Sequence, residues 1–306
     1  MTGQESPESV VGRIIDVAHF STHDGPGIRT VVFLKGCPLD CLWCHSPDSR
    51  KPGPQLVFVA NKCIGCERCV AICPRGARRR VDGLLRTDRA LCDDCGLCVE
   101  VCPPRALQLR GERVTAGKVF EGLLKEAVFY RQSGGGVTLS GGEPLLQPAF
   151  ASAILTLCRS AGLHTAMETS GYARPEVFRR IAPLVDLFLY DLKQMDSTRH
   201  REICGVSNEV ILANLRYLAS AGREVVVRYP VIPGYNDDDA NVAALGAFLR
   251  DAGLRRVDLL PYNPAAGSRY LLLEAAYPLE GVRPPSPDRL AELGRSLGVE
   301  GFRCLG

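Results

Sequence analysis

Cysteine is the residue type through which this sequence can do unusual chemistry, because its thiolate is a strong metal ligand. The 306 residues include 14 cysteines, and eleven of them lie in three clusters before residue 103. The clusters are Cys37-x3-Cys41-x2-Cys44, Cys63-x2-Cys66-x2-Cys69-x3-Cys73-Pro74 and Cys92-x2-Cys95-x2-Cys98-x3-Cys102-Pro103. The other three, Cys158, Cys204 and Cys304, stand alone and are interpreted as buried apolar residues or indifferent thiols.

The second and third clusters repeat each other at an offset of 29 residues. Each is a C-x2-C-x2-C-x3-C-P run, the bacterial ferredoxin pattern for two [4Fe–4S] clusters, in which the fourth cysteine of each run binds the other run's cluster. Zinc is the alternative, but zinc sites usually separate two C-x2-C pairs by a longer stretch. The two predicted ligand sets are Cys63, Cys66, Cys69 and Cys102, and Cys92, Cys95, Cys98 and Cys73.

The first cluster offers three thiolates and no obvious fourth ligand. Three ligands on a four-iron cube would leave one iron open, and an open position distinguishes a catalytic metal site from a structural one. His45 is the competing fourth ligand, but it follows Cys44 directly and would be strained to reach the cube. The triplet therefore predicts an iron–sulfur site that can bind a substrate.

Composition agrees with metal ligation in a globular protein. Hydrophobic residues make up 46% and charged residues 23%, and the net charge of +3 is too small to indicate a nucleic-acid partner. The sequence has no apolar run near the roughly 20 residues that span a bilayer, and the stretch from Met1 to Pro7 does not resemble a signal peptide. We therefore expect a cytoplasmic protein without a membrane partner, in which disulfides do not explain the cysteines.

The elements that must position these residues alternate between strand and helix. Strands are predicted at 29–34, 137–139, 164–168, 186–190, 224–228 and 256–260. Helices are predicted at 116–133, 147–161, 174–181, 208–221, 237–252 and 286–297. This alternation indicates an α/β fold of βα units with a parallel sheet, either open or closed into a barrel.

Several polar or glycine-rich stretches follow these strands. Ser140-Gly-Gly-Glu-Pro144 ends one strand, and glycine lets backbone approach a ligand closely. Asp191 and Lys193 end another, at the position where α/β folds bind ligands. A structural salt bridge is the alternative for this charged pair.

Cys-x3-Cys-x-aromatic-Cys, with Trp43 as the aromatic residue, resembles the cluster motif of the radical S-adenosylmethionine superfamily. The stretch Asp24-Gly-Pro-Gly-Ile-Arg-Thr30 is similar to the start of the glycyl-radical-enzyme activating enzymes within it. Further matches follow in consistent order through roughly residue 303: Ser140–Pro144, Glu168–Gly171, Asp191–Met195, Arg228–Pro233 and Leu260–Tyr262. The two-cluster insert resembles the longer activating enzymes, which serve lyases, dehydratases and decarboxylases.

The resemblance implies a partial (β/α)6 barrel formed by residues 11–54 and 114–306, with a ferredoxin-like insert at 55–113. It implies three [4Fe–4S] clusters, S-adenosylmethionine and a monovalent cation. The implied activity is that of an oxidoreductase: a reduced cluster splits S-adenosylmethionine, and the resulting radical removes a Cα hydrogen from a glycine of a partner glycyl-radical enzyme. Flavodoxin or ferredoxin would donate the electron.

The resemblance also assigns roles to residues. Gly141, Gly142 and Glu143 would hold the methionine amino end of the cofactor, and Lys193 would lie near its carboxylate or sulfonium. Glu168 and Asp191 would surround an adjacent cation or the ribose. The other implied cofactor contacts are Trp43, Cys44, His45, Leu192, Arg228 and Asn263. Asn263 stands where many activating enzymes have histidine, and Ser46 stands where asparagine is commoner.

Asp24, Gly25, Gly27 and Arg29 precede the strand that leads to the first cysteine cluster. We expect them near the open iron, where Asp24 would act in catalysis by holding an extended peptide of the partner. A structural turn is the alternative, since Asp-Gly-Pro-Gly forms turns readily.

Two other functions stay open. A radical enzyme of this kind could act on a small molecule or an RNA base, with the same cofactor residues. A plain electron carrier would need only the eight cysteines of the insert, and would leave the first triplet and the C-terminal residues without a role.

Overall fold

A nine-stranded sheet forms the larger part of the protein, and the computed structural model describes residues 6–298 and 301–304. The strands are β1 (Val11–Ser21), β2 (Arg29–Leu34), β3 (Gln55–Phe58), β4 (Arg78–Val81), β5 (Leu84–Thr87), β6 (Leu107–Arg110), β7 (Glu112–Thr115), β8 (Gly136–Gly141), β9 (His164–Thr169), β10 (Leu187–Asp191), β11 (Glu224–Val231), β12 (Arg256–Pro261) and β13 (Gly301–Cys304). The helices are α1 (Arg68–Ala71), α2 (Leu97–Glu100), α3 (Ala116–Leu124), α4 (Ala127–Ser133), α5 (Pro148–Ser160), α6 (Pro175–Ile181), α7 (Ser197–Cys204), α8 (Glu209–Ser220), α9 (Asp239–Asp251), α10 (Gly267–Leu272) and α11 (Pro287–Ser296).

The strand order in the large sheet is β13-β12-β11-β10-β9-β8-β2-β1-β7. The six strands predicted from sequence lie side by side in chain order and all pair in parallel. Strand β1 pairs antiparallel with β2 and with β7, which forms one edge. The predicted α/β fold with a parallel sheet is confirmed, and the sheet is open, as a partial barrel requires.

Side chains alternate between the two faces of each strand. On the outer face, Val137, Met167 and Phe188 pack in one apolar core with residues of α5 and α8. On the inner face, Ala166, Leu187, Leu189 and Val226 form a small apolar cluster of their own. The outer core therefore fixes the sheet against its helices, while the inner face stays free for other contacts.

Polar residues occupy the inner face at the carboxyl ends of the strands. Ser140, Glu168, Asp191 and Arg228 belong to β8, β9, β10 and β11, respectively. Glu168, Asp191 and Arg228 each lie two residues after an inner-face residue of the same strand, namely Ala166, Leu189 and Val226. Ser140 lies two residues after Thr138, which pairs with Ala166. Because parallel strands end at the same edge of a sheet, these four side chains share one end of the inner face.

The segment before β2 lies across this inner face. The backbone carbonyl of His23 accepts a hydrogen bond from Arg228 of β11. The carbonyl of the next residue, Asp24, accepts one from Thr138 Oγ1 of β8 at 2.7 Å. Two adjacent residues thus contact strands that are separated by two others, which is the arrangement expected inside a curled sheet.

The sequence prediction missed several elements and merged two helices. Strand β7 is an edge strand and β1, between β2 and β7, is partly exposed, so neither has the apolar run by which the other strands were predicted. The predicted helix at 116–133 is two helices, α3 and α4, separated at Lys125 and Glu126. The Glu126 carboxylate there accepts a hydrogen bond from the Thr30 hydroxyl and contacts His19, which stabilises the break.

The insert has two small antiparallel pairs. Strands β3 and β6 pair from Gln55↔Arg110 to Phe58↔Leu107, and β4 and β5 form a hairpin. Its apolar core contains Leu56, Phe58, Leu85, Ala106 and Leu107, together with the cysteine side chains of Cys69 and Cys98. Within the described residues, no helix is both long and apolar enough to cross a membrane.

Gly171 is a position where the fold leaves no room for a side chain. Its φ is +71°, and a Cβ there would lie 1.7 Å from the Tyr190 hydroxyl oxygen. We predict that Gly171→Ala lowers the free energy of unfolding by about 2–4 kcal/mol, because left-handed strain and overpacking add. Gly162→Ala is the control, since Gly162 has the same φ of +71° with nothing within 4 Å. Equal thermal unfolding midpoints for the two variants would contradict the steric argument.

Candidate active site

A cleft opens at the carboxyl ends of the parallel strands and encloses about 1270 Å³, counted to its open mouth. The loops that follow β2, β8, β9, β10, β11 and β12 all contribute to it. Its lining comprises Phe33, Cys37, Leu39, Cys41, Trp43, Cys44, His45, Ser46, Ser49, Ser140, Gly141, Gly142, Glu168, Thr169, Ser170, Asp191, Lys193, Pro230, Ile232, Leu260, Pro261 and Tyr262.

The three cysteines of the first cluster lie together on this lining. Backbone hydrogen bonds hold their loop at both ends: Cys37 N donates to Arg50 O at 2.9 Å, and Asp40 N donates to Cys204 O at 2.8 Å. Within the described residues, no three His, Cys, Asp or Glu side chains converge closely enough to hold a single metal ion. A lone Zn²⁺ needs thiolates within about 2.3 Å of one point, whereas a cubane spreads them, so the donor set fits a cluster better than zinc.

Cys204 is a lone cysteine beside the first cluster. It is fully buried at the end of α7 among apolar residues that include Leu39, Ile203 and Ile232, as the interpretation of a buried apolar residue expects, and its thiol lowers the pKa of Cys41. Cys158 is also buried, in the outer apolar core. The Cys304 side chain lies outside the described part of the chain.

The glycines after β8 bring two loops into backbone contact. A Cβ on Gly141 would lie 2.4 Å from Leu34 N, and one on Gly142 would lie 2.2 Å from Gly36 O. Gly142 N donates to Leu34 O and Glu143 N to Gly36 O, both at 2.8 Å. This close approach sets the position of the segment that leads to Cys37.

The Glu143 side chain does not line the cleft. It is buried, and its carboxylate accepts hydrogen bonds from Thr169 Oγ1 at 2.6 Å, from Ser170 N at 2.9 Å and Oγ at 2.6 Å, and from Leu145 N at 3.2 Å. The carboxylate thus fastens the loop after β8 to the loop after β9. Contact between this side chain and a cofactor stays a prediction.

Two ion pairs form the floor of the cleft. Lys193 Nζ lies 2.6 Å from Asp191 Oδ2, and Arg228 Nη1 lies 2.7 Å from Glu168 Oε1. Burial alone lowers the pKa of Lys193, but the Asp191 carboxylate raises it above its ordinary value. Burial likewise raises the pKa of Glu168, but Arg228 and the Ser140 hydroxyl bring it below the usual range. Burial raises the pKa of Asp191 as well, although the Lys193 ammonium acts against it.

One carboxylate oxygen of Asp191 has no hydrogen-bond donor among the described residues. This oxygen, Oδ1, is buried. A buried carboxylate oxygen without a donor is costly, so this atom needs a cation or a hydroxyl group beside it. Both are consistent with a ligand in the cleft.

Four predicted cofactor residues, apart from Glu143, lie off the lining or at its mouth. Leu192 is buried behind it, and Asn263 is exposed, where its side chain accepts a hydrogen bond from Ala265 N at 2.9 Å. Arg228 lies beneath the lining and is committed to Glu168 and His23. His45 is exposed at the rim, whereas Trp43 is buried on the wall.

Asp24 lies on the inner face beside Arg228, and its nearness to the open iron stays a prediction. Its carbonyl accepts a hydrogen bond from Thr138. Thr138 lies two residues, or about 7 Å, before the lining residue Ser140 on β8. Its carboxylate accepts a hydrogen bond from Ser21 and lies 3.9 Å from Arg228 Nη1. Arg29 and Gly27 hold this turn: the Arg29 side chain is buried against Thr138, and a Cβ on Gly27 would lie 2.5 Å from Gly135 N.

Further residues that position the site were not predicted. Asn236 is buried, and its Nδ2 donates to Lys193 O at 2.8 Å while its Oδ1 accepts from Ile232 N at 2.8 Å. Arg50 donates to Cys41 O at 2.9 Å and to the Tyr270 hydroxyl at 2.6 Å. Lys193 is 43 residues from Asn236 and Tyr270 is 220 residues from Arg50, so these two contacts leave no local sequence pattern.

The eight cysteines of the insert line two separate cavities. One, of about 300 Å³, is lined by Cys63, Cys66, Cys69 and Cys102 among others. The second, of about 340 Å³, is lined by Cys73, Cys92, Cys95 and Cys98 among others. The fourth cysteine of each run thus lies with the other run's first three.

Comparison with known proteins identifies the family. Residues 102–245 match the family model described as the Radical SAM superfamily, and residues 55–106 match the 4Fe-4S dicluster domain. The chain is 44% identical over 275 residues to the isethionate sulfite-lyase activating enzyme of Nitratidesulfovibrio vulgaris, covering 88% of this chain and 89% of that one. It is 37% identical over 303 residues to the indoleacetate decarboxylase activating enzyme of Tractidigestivibacter scatoligenes, covering 95% and 96%.

Likeness of fold extends further. The crystal structure of Streptococcus suis SuiB bound to precursor peptide SuiA superposes with a TM-score of 0.55 at 12% identity, covering 90% of this chain and 48% of that one. This likeness concerns the fold alone. The two relatives above place the class: the chain belongs to the glycyl-radical-enzyme activating enzymes of the radical S-adenosylmethionine superfamily. The predicted family, its oxidoreductase chemistry and its iron–sulfur character are confirmed.

The Glu143 contacts generate a prediction. All four donors to its carboxylate are N–H or O–H groups, so Glu143→Gln would turn an amide NH2 toward at least one of them. We expect the free energy of unfolding to fall by about 1–3 kcal/mol. Glu121→Gln, at an exposed position of α3, is the control. Unchanged thermal stability of Glu143→Gln would show that the two loops hold together without this carboxylate.

Proposed function

We propose that this enzyme installs a glycyl radical on a partner enzyme of the lyase, dehydratase or decarboxylase type, using S-adenosylmethionine bound in the cleft. The observation that carries the proposal is the cleft itself, where three cysteine thiols face a protonated lysine and two carboxylates in a member of this family. The partner class follows from the names of the relatives, which activate a sulfite-lyase and a decarboxylase.

Three ligand sets would each hold one [4Fe–4S] cluster. Cys37, Cys41 and Cys44 would hold the cluster in the cleft, leaving one iron open toward the cofactor. The cysteines of the two insert cavities would hold the others. Support comes from the shared wall of the first triplet and from the separate lining of each insert cavity.

The residues of the cleft would bind and orient the cofactor. The Lys193 ammonium is suited to the methionine carboxylate, and the exposed backbone at Gly141 and Gly142 to the amino group. Asp191 Oδ1 would accept a monovalent cation or the ribose hydroxyl, with Glu168 beside it. Arg228 would orient Glu168 through their ion pair without contacting the cofactor. Glu143 would hold the loop after β8 in place through its buried hydrogen bonds.

The remaining predicted contacts surround this core. Trp43, His45 and Cys44 belong to one wall, Leu192 lies behind Lys193, and Asn263 lies at the far rim. Phe33, Leu39, Ile232 and Tyr262 are apolar or aromatic lining residues that would keep water away from the reacting atoms. When bound, cluster and cofactor together supply a one-electron cleavage of the sulfonium and removal of a hydrogen atom from a glycine Cα.

Asp24 and the insert would serve the two macromolecular partners. Asp24 would recognise the glycine-bearing peptide of the partner. A peptide that enters the inner face would contact Asp24 directly, and a peptide that stays in the cleft would feel it through Arg228. The insert would receive electrons from a flavodoxin or ferredoxin, or dock a partner. We further propose a cytoplasmic location, where reduced electron donors of this kind are found.

Iron content tests the ligand sets. Anaerobically reconstituted protein should contain about 12 Fe per chain, and Cys41→Ala about four fewer, because each set holds a four-iron cube. Cys158→Ala is the control, since Cys158 is buried in the outer core away from every proposed set. Zinc in place of iron, or no loss of iron in Cys41→Ala, would contradict the assignment.

Electron paramagnetic resonance tests the function. We expect a glycyl-radical doublet on the glycyl-radical enzyme encoded beside this chain, after incubation with this protein, S-adenosylmethionine and dithionite. Cys41→Ala should give no doublet and no 5′-deoxyadenosine, and Asp24→Asn should form 5′-deoxyadenosine while activating the partner more slowly. Appearance of 5′-deoxyadenosine only when a small molecule is supplied would instead indicate a small-molecule substrate.

A further inference from the structure

Arg78 lies between the two cavities of the insert. It is the first residue of β4, its side chain is 1% exposed, and among the described residues it is the one that lines both cavities. Its guanidinium carbon lies 4.6 Å from the centre of the Phe58 ring, which supports one face of the group. A full positive charge is therefore buried where the cysteines of both runs surround it.

The hydrogen bonds of this guanidinium are incomplete. Nη1 donates to Thr87 Oγ1 at 2.6 Å and lies 3.4 Å from Glu274 Oε2. Nε and Nη2 are buried and donate to no atom of the described residues. Leaving a buried donor unsatisfied costs about 1–3 kcal/mol, and more when the donor is charged. These two nitrogens therefore need acceptors, and sulfur is the acceptor that both cavities would supply.

Glu274 connects this arginine to the rest of the protein. It follows α10, and its side chain is 5% exposed although it meets the insert from outside. Its carboxylate accepts hydrogen bonds from Thr87 N at 3.1 Å and from the Thr87 hydroxyl. Arg89 of the insert donates to the neighbouring carbonyl of Leu273 at 3.1 Å. The carboxylate thus fixes Arg78 and partly neutralises its charge.

We propose that Arg78 donates hydrogen bonds to sulfur atoms of both insert clusters and raises both reduction potentials, with Glu274 limiting the effect. This inference rests on the ligand sets of the proposed function. A cation and hydrogen bonds to sulfur stabilise the added electron of a reduced cluster, so both act in the same direction. Because one guanidinium serves both cavities, the two clusters are tuned together.

A redox titration of the reconstituted, full-length protein tests this, with each cluster followed by electron paramagnetic resonance. In Arg78→Gln, the ratio of reduced to oxidised insert clusters at a fixed potential should fall about tenfold, a negative shift of about 59 mV for a one-electron couple. The cluster of the first triplet should keep its potential. Arg79→Gln is the matched control, because Arg79 is the next residue, is exposed, and pairs with Asp88 at 2.6 Å.

Glu274→Gln should shift the insert potentials in the direction opposite to Arg78→Gln. The amide can still accept from Thr87, but the neutralising charge beside Arg78 is lost, so the insert potentials should shift positive. A merely structural role would loosen the insert in both variants and move the potentials the same way. Opposite shifts in the two variants would support the proposal, and shifts of the same sign would overturn it.

Loss of clusters is covered by the same design. Arg78→Gln could lose its insert clusters, and in that case Arg78→Lys, which keeps the positive charge, is measured instead. We expect Arg78→Lys to retain the insert clusters, with a smaller negative shift of their reduction potentials. Loss of the clusters in Arg78→Lys as well would overturn the proposal. Insert clusters present in the unaltered chain with the same potentials in Arg78→Gln would overturn this inference alone. Iron content showing no insert clusters in the unaltered chain would overturn the proposed ligand sets, and this inference with them.

Discussion

The contact between the backbone at Gly141–Gly142 and the segment Leu34–Gly36 is the constraint on which the cleft depends. No Cβ fits at either glycine, and two hydrogen bonds of 2.8 Å join the segments. The loop that leads to Cys37 is thereby fixed to the end of β8. The Glu143 carboxylate then accepts hydrogen bonds from Thr169 and Ser170, which fixes the end of β9 and the loop after it to the loop after β8. The wall of thiols and the floor of charges are positioned by one continuous set of backbone and buried polar contacts.

Burial of charge is the second requirement, and the sheet meets it by pairing. Glu168 with Arg228 and Asp191 with Lys193 place two acidic and two basic side chains on one inner face, each beside a partner of the opposite kind. Ion pairs of this kind contribute little net stability, since desolvation offsets their attraction. Their retention in the cleft is better explained by what they can orient, and the unpartnered Asp191 Oδ1 indicates where a ligand would complete them.

Much of this arrangement could be predicted because it is local. The parallel strands are apolar runs, the glycines and charges follow them directly, and the cysteine spacing indicates iron–sulfur chemistry without any tertiary information. Strands β1 and β7 could not be predicted in this way, since they are partly exposed and lack an apolar run. The path of the segment around Asp24 across the inner face could not be predicted, because its partners Thr138 and Arg228 are distant in sequence.

Contacts between distant residues were beyond sequence reasoning for a related reason. Cys204 has no neighbouring motif, yet it packs in one apolar cluster with Cys41, 163 residues earlier in the chain, and lowers the pKa of that residue. Arg78 belongs to a basic run, Arg78-Arg79-Arg80, of which the other two members are exposed. Only the tertiary pairing with Glu274, 196 residues away, distinguishes the buried member from its neighbours.

The two parts of the protein are stabilised by different means. The sheet has a continuous outer core that needs no metal, whereas the insert buries few apolar side chains and counts cysteines among them. A core of that size supplies little stability by itself, so ligand binding must contribute to folding of the insert. Contacts such as Arg89 to Leu273 and Thr87 to Glu274 attach the insert to the sheet's side of the molecule at the same time. Arg78 links this attachment to the cysteine cavities, because it lines both of them and contacts Thr87 and Glu274.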